Sequence, residues 1–486
     1  MGTTESSPRA GRWATLAVRW LAGLLLLVLV ACGAIAVALQ VTPMQTVTVA
    51  GQVIQVGATS PNLSWSGPGE VDLFGQSLPT NILFSGPVRP RLQLSQITIN
   101  SELTTFVEGA HGAGAERILG ARLADGWKRY FAWETAVVGA GTLILVGALA
   151  GWRRVPYRTT VKLLAAGLLI AEALNVGAIM ITTYTAPERL RQVHSLNELV
   201  GSLTRPRRID PAGRPLRQVQ AVVIGDSTAA GAGLAPELGV SGNARACGRS
   251  ADSYAADLSD VNGWQVLNLA CDGATISHGL LGPQKQNGVR LPPQLGEAER
   301  ASRASVIIVS VGADDLGWAT EMRYCSVTPN CNDKATGAYF QQQLASFSKD
   351  YLDLLSRLAA LPGHPQIIIN RYYNPFGTQP GCLSQAGLTV ANLQTLTSRL
   401  ATLNAVLAKG AAQFQFSSPQ PDFAGHQLCT SQPYVQGLSS PAPFHPTAAG
   451  QLAIALADQA ALSQPSPRDQ PAAHQPGAKR PSRTAI

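Results

Sequence analysis

At 486 residues the chain is long for one domain, and with 14% charged residues and a mean hydropathy of +0.09 it is too apolar for an ordinary soluble enzyme. The formal net charge of +8 is scattered or sits beside apolar runs. No Lys/Arg stripe with interleaved aromatics is present, so nucleic acid is set aside as a partner. The charge reads instead as membrane topology and attraction to anionic envelope surfaces.

Residues 1–20 carry Arg9, Arg12 and Arg19, and an apolar run over 21–41 follows. About 20 apolar residues suffice to cross a bilayer as a helix. Leu29-Val30-Ala31-Cys32 also resembles a lipobox, in which Cys32 would be lipidated. The chain stays apolar through Leu39, however, where a cleaved signal turns polar, and the uncleaved span is the reading taken. Residues 42–132 hold partly alternating runs, Val47–Ile54 and Leu92–Ile99, separated by Gly and Pro: a small β-rich segment with no legible chemistry. Its end, from about Gly114 to Arg129, suits an amphipathic helix. Two further apolar spans, 133–152 and 161–184, flank the basic loop 153–160. Positive residues mark the cytoplasmic side, so three crossings place the β-rich segment and everything after Thr185 outside a bacterial inner membrane. Lys128 and Arg129 lie on the wrong side for this rule.

Of 7 cysteines, only Cys32 precedes the third span; Cys247, Cys271, Cys325, Cys331, Cys382 and Cys429 follow it. An even number confined to one side fits disulfides in an oxidising compartment. No CxxC pair or His/Cys ligand spacing points to a metal, and none is expected.

Residues 185–217 read as a polar linker. From 218 to 462 apolar strands alternate with helices, the pattern of a parallel sheet covered on both faces. The strands expected are Gln218–Ile224, Gln265–Ala270, Ser305–Val311, Gln366–Arg371 and Gln413–Ser417. The helices expected are Pro293–Arg303, Gly337–Ala360, Thr389–Gly410 and Thr447–Leu462. Residues 463–486, rich in Pro, Ala, Gln and Arg, read as a disordered tail.

The first of these strands ends in Gly225-Asp226-Ser227-Thr228, which sets a hydroxyl at the mouth of the sheet. A serine needs a base to become a nucleophile, and His445, in Pro443-Phe444-His445-Pro446 just before the last helix, is suitably placed. Two further blocks accompany them, Asn268-Leu269-Ala270-Cys271-Asp272-Gly273-Ala274-Thr275 and Gly312-Ala313-Asp314-Asp315. Together, in this order, the four blocks resemble those of the GDSL-type, or SGNH, hydrolases.

The resemblance covers about half the chain. It implies a flavodoxin-like three-layer α/β/α domain, preceded here by transmembrane helices and the β-rich segment. It is strongest to the secreted, disulfide-bonded esterase branch with a Ser-His dyad, on the cysteine after Asn-Leu-Ala and on Phe423-Ala424-Gly425-His426-Gln427-Leu428-Cys429. That branch implies sequential disulfides: Cys247 with Cys271, Cys325 with Cys331, Cys382 with Cys429. It also implies Ser227 as nucleophile, His445 as general base and then acid, and the backbone N–H groups of Ser227 and Gly273 in the oxyanion hole, with no cofactor. His426 is read as a structural or cleft-wall residue.

Two departures stand out. Ala442 occupies the place of the family aspartate three residues before the histidine, so a backbone carbonyl near Ala442 is expected to orient the imidazole, with Asp422 as the lesser candidate. Asp314 stands where the family has an oxyanion-donating asparagine, and an ionised carboxylate cannot donate. A neutral Asp314, a substitute donor such as the Asp315 N–H, or a weakened enzyme are the outcomes left open. The function expected is a membrane-anchored serine esterase or lipase acting on an acylated envelope lipid or glycan. An acyltransferase, or a hydrolase-like binding or scaffold module, is the alternative.

Overall fold

The computed structural model describes residues 8–49, 52–60, 64, 66–96, 115–190, 216–236 and 242–464. The described residues form two compact units, one of residues up to Leu190 apart from Phe74–Gln76, the other of residues from Leu216 onward together with Phe74–Gln76.

The first unit contains helix α1 (Pro8–Val41), strands β1 (Gln45–Val49), β2 (Gln52–Ala58), β3 (Ser66–Leu73), β4 (Gln76–Ser85) and β5 (Pro90–Gln96), and helices α2 (Ala115–Trp152) and α3 (Tyr157–Leu190). All three helices are long and apolar enough to cross a membrane, over Val18–Val41, Asp125–Trp152 and Tyr157–Ile181. They pack through small side chains, with Ala31, Ala38, Val138 and Ala171 buried between them. Large apolar residues such as Leu25, Ile144 and Leu169 point outward (61%, 69% and 72% exposed), the reverse of a water-soluble bundle. The strands form one sheet in the order β1-β2-β5-β3-β4. In β3 every second residue is buried, as a sheet with one covered face requires.

Three boundaries differ from the sequence reading. The amphipathic stretch and the second span are one continuous helix, because no Pro interrupts 115–152. The first helix starts at Pro8, ahead of the apolar run, and α3 extends to Leu190, into the expected linker. The expected tail lies outside the described residues from 465 onward.

The second unit is a three-layer α/β/α domain. Its elements in order are β6 (Ala221–Gly225), α4 (Ser227–Ala230), α5 (Gly242–Ala246), α6 (Tyr254–Asn262), β7 (Val266–Asn268), the hairpin β8 (Gln284–Gln286) and β9 (Val289–Leu291), α7 (Gln294–Ala298), β10 (Val306–Ser310), α8 (Trp318–Val327), α9 (Lys334–Ala359), β11 (Gln366–Ile369), α10 (Val390–Gln413) and α11 (Ala448–Leu462). The main sheet runs β11-β10-β6-β7, all parallel, and every residue of β6 and β10 is buried. Such strands are continuous apolar runs because helices cover both faces.

The chain steps from β6 to β7 on one side, then returns to place β10 on the other side of β6. Beyond the carboxyl ends of β6 and β10 this reversal opens a crevice, the usual ligand site of such sheets.

Helix starts follow local chemistry: Asp333, Thr389 and Thr447 each cap the next helix with a side-chain oxygen. The expected fifth strand shrinks to a single bridge, Ile368 with Ser417. There α10 runs on to Gln413, and Gln415 turns the chain at φ +56°, which leaves too few extended residues to form a ladder. The expected helix 293–303 is likewise shorter, Gln294–Ala298.

Candidate active site

Strand β6 ends against β10 with Gly225 so close that a Cβ there would lie 2.2 Å from the Ser310 carbonyl oxygen. Only glycine fits. Asp226 then caps α4, its Oδ1 accepting from the Thr228 N–H at 3.0 Å, and Ser227 begins that helix at the crevice. His445, 218 residues further along, lies between Pro443 and the start of α11. Its Nε2 is 2.8 Å from Ser227 Oγ. Nδ1 is 3.2 Å from the Pro443 carbonyl oxygen, and since that oxygen can only accept, Nδ1 carries the proton and Nε2 is free to receive one. The backbone orienter expected near Ala442 is therefore the next residue. Asp422 instead accepts from the Ala424 N–H at 2.9 Å.

The imidazole loop is under local tension. Phe444 has φ +68°, a left-handed conformation uncommon for a bulky residue. Tyr373 Oη donates to its carbonyl at 2.8 Å, and its N–H donates to Gln436 O at 3.1 Å.

Two buried glutamines absent from the sequence reading tie this loop to the serine. Gln436 Nε2 donates to Ala232 O (2.7 Å) and Pro446 O (2.9 Å). Gln451 of α11 donates to Thr228 O (2.9 Å) and accepts from the Tyr254 N–H (3.0 Å). A third, Gln294, clasps both backbone groups of Gly225. A lone glutamine has no motif, so nothing in one dimension marks these three. Tyr372 had a weak signal, its place at the end of a predicted strand. Its hydroxyl donates to Asp226 Oδ2 and accepts from the Ala313 N–H.

Gly273 turns at φ +73° in the loop after β7, and the Cys247–Cys271 disulfide holds that loop. Among the described residues, neither the Ser227 nor the Gly273 N–H is taken by a protein acceptor. The other sulfurs join Cys325 to Cys331 and Cys382 to Cys429, leaving Cys32 free. His426 stacks on Tyr434 at 3.9 Å with Nδ1 on Gln432 O, away from the dyad contacts. Among the described residues no cluster of three His, Cys, Asp or Glu is arranged for a metal.

Acidic groups crowd the same sheet edge. Asp315 Oδ1 accepts from the Ile276 N–H at 2.9 Å, yet burial pushes its carboxyl up to about 7. Burial, and then the charge of Asp272, push Asp314 up to about 6, and its buried Oδ2 has no hydrogen-bond partner. Asp226 is raised by burial and by Asp314, but accepts two hydrogen bonds. Burial holds both Asp226 and Asp314 above the usual carboxylate range, and the two titrate as a coupled pair.

Residues 223–453 match the GDSL-like Lipase/Acylhydrolase family. That stretch is a GDSL-type hydrolase domain. A lipase of Streptomyces rimosus is 29% identical to it over 240 residues, spanning 47% of this chain and 81% of the relative. Lipase 1 of Streptomyces coelicolor is 26% identical over 247 residues, spanning 49% and 85%. Among solved structures, the extracellular lipase of S. rimosus gives a TM-score of 0.39 at 22% identity, over 50% of this chain and 99% of that one. Phospholipase A1 of Streptomyces albidoflavus NA297 gives 0.37 at 22% identity, over 50% and 97%. The helices and β-rich sheet of the first unit lie outside the matched GDSL residues.

Proposed function

We propose that the chain is a membrane-anchored serine esterase whose GDSL domain faces the outside of a bacterial inner membrane. The substrate class is a carboxylic ester of an envelope lipid or glycan. The 2.8 Å contact of Ser227 Oγ with His445 Nε2, in the tautomer that can accept a proton, carries this reading. His445 takes the hydroxyl proton as Oγ attacks the ester carbonyl, and returns it to the departing alcohol. Water then repeats the sequence in reverse and releases the acid from the acyl-Ser227 intermediate. The Ser227 and Gly273 N–H groups, each worth about 3 kcal/mol to a developing oxyanion, receive the negative charge. A neutral Asp314 adds a third donor; an ionised one opposes the step.

The anchoring half rests on the three apolar helices, the basic loop at 153–158 and the disulfides confined to residues after the third helix. A binding or scaffold module is the second reading, favoured by the carboxyl at position 314.

A fluorophosphonate probe decides between them. Wild-type protein is expected to label and to hydrolyse a short-chain aryl ester, and Ser227→Ala to do neither while keeping its circular dichroism. Folded wild-type protein that neither labels nor hydrolyses sinks the esterase. Comparing envelope lipids and glycans with and without the gene then names the substrate.

A further inference from the structure

The α2–α3 interface buries polar groups that the ester chemistry does not use. Glu134 of α2 is fully buried, and its Oε2 accepts from Asn175 Nδ2 of α3 at 2.8 Å. Asn175 is itself 1% exposed and also donates to Thr135 Oγ1 at 3.3 Å. One turn away on the same face of α3, Glu172 approaches α2 where Gly139 leaves room: a Cβ on Gly139 would lie 3.0 Å from Glu172 Oε1. Glu134 Oε1 and Glu172 Oε2 are both buried without a hydrogen-bond partner. A carboxylate oxygen can only accept, and inside an apolar span no water stands ready to donate. Carboxyls at such depth persist where something neutralises them, and they mark ion or proton sites.

We propose that the α2–α3 interface is a binding site for monovalent cations, protons or alkali ions, at Glu134 and Glu172, with Thr135 and Asn175 completing its wall. Protons and alkali ions share the chemistry needed, a single small positive charge. Among the described residues, no ion pair is formed with either carboxyl. On α1 the stretch Leu21–Val41 contains no titratable side chain except Cys32. On α2, Tyr130 donates to Leu39 O at 3.4 Å, and the side chains of Asp125, Lys128 and Arg129 are exposed. Lys162 of α3 is exposed, and Arg91 of the neighbouring sheet pairs with Asp72 at 3.4 Å. Occupied, the site locks two helices together; emptied, it leaves two like charges between them.

The inference rests on the membrane-spanning reading of these helices. The test is hydrogen exchange of α2 and α3 in the full-length protein in lipid nanodiscs, corrected for intrinsic rates. At fixed pH, replacing choline with sodium or potassium is expected to slow exchange about tenfold if the occupant is an alkali ion. If it is a proton, lowering the pH does so at fixed salt. Glu134→Gln with Glu172→Gln provides its own donors and is expected to be protected under every condition. Wild-type exchange indifferent to both ions and pH, or a double variant that tracks wild type, overturns the proposal. Fluorophosphonate labelling of the same variant reports an intact hydrolase domain. Release of the wild-type chain by alkaline carbonate sinks the membrane reading by itself, a result distinct from either exchange outcome.

Discussion

Asp314 sets the pH behaviour expected of the proposed oxyanion hole. Asp314 is pushed up to about 6 by burial and by Asp272, so it is neutral below that value and anionic above it. A group raised in this way favours the folded state most below its unfolded value and loses that contribution as the pH climbs through 6. Activity has the same sense: the neutral form can donate to the oxyanion, and the anion repels it. Wild-type kcat is therefore expected to fall as pH rises from 6 to 8, by about tenfold or more for a lost donor. Asp314→Asn removes the titration, and its kcat is expected to hold through pH 8. Paired pH profiles of the two proteins make the measurement. A large loss in the variant at every pH would show that the acid itself is indispensable. The motif made this residue conspicuous in the sequence, but its protonation depends on burial and on Asp272, which only folding brings beside it.

Among the elements, α11 matters most, because it follows directly on the loop that holds the proposed base and is fixed to the strand-end turn of the proposed nucleophile by one side chain. Gln451 spans from Thr228 O to the Tyr254 N–H and so sets how far the histidine loop stands from α4. It touches no substrate, and its role is positioning. Gln451→Leu is expected to lower kcat about tenfold with KM unchanged, since misplacement of reacting atoms by a fraction of an ångström weakens catalysis more than binding. Gln451→Glu keeps the acceptor for Tyr254 but loses the donor to Thr228, and should fall between. Steady-state kinetics on both variants, with thermal melts to check folding, separate positioning from collapse. A rise in KM alone would count against it. The helix itself was legible as the expected element Thr447–Leu462. The clasp was not, because its partners are 197 and 223 residues away.

For the whole molecule, the expected topology has a direct consequence. The full chain should stay with membranes in alkaline carbonate, and external protease should reach the hydrolase domain in intact spheroplasts. Without reductant, a membrane-permeant thiol reagent should modify only Cys32. Reactive cysteines in the hydrolase domain of freshly isolated protein would place it in a reducing compartment and refute the orientation.

Several features follow from local pattern alone, and the sequence by itself determined them. Apolar runs long enough for a bilayer are helices here because their length and composition permit little else. Val222-Val223-Ile224 and Val306–Val309 are buried strands because only a doubly covered sheet accommodates such runs. Gly-Asp-Ser and the histidine before the last helix named the proposed reacting pair by type and order, and Ser227 Oγ and His445 Nε2 lie 2.8 Å apart. Tertiary structure decided distances and electrostatic surroundings: which carbonyl faces His445, where α10 stops and cuts the last strand short, which carboxyls burial raises, and what holds the histidine loop to Thr228. Each depends on groups far apart in the chain, so local propensity carries no trace of them. Burial and electrostatic interaction exist only once the sheet edge has assembled.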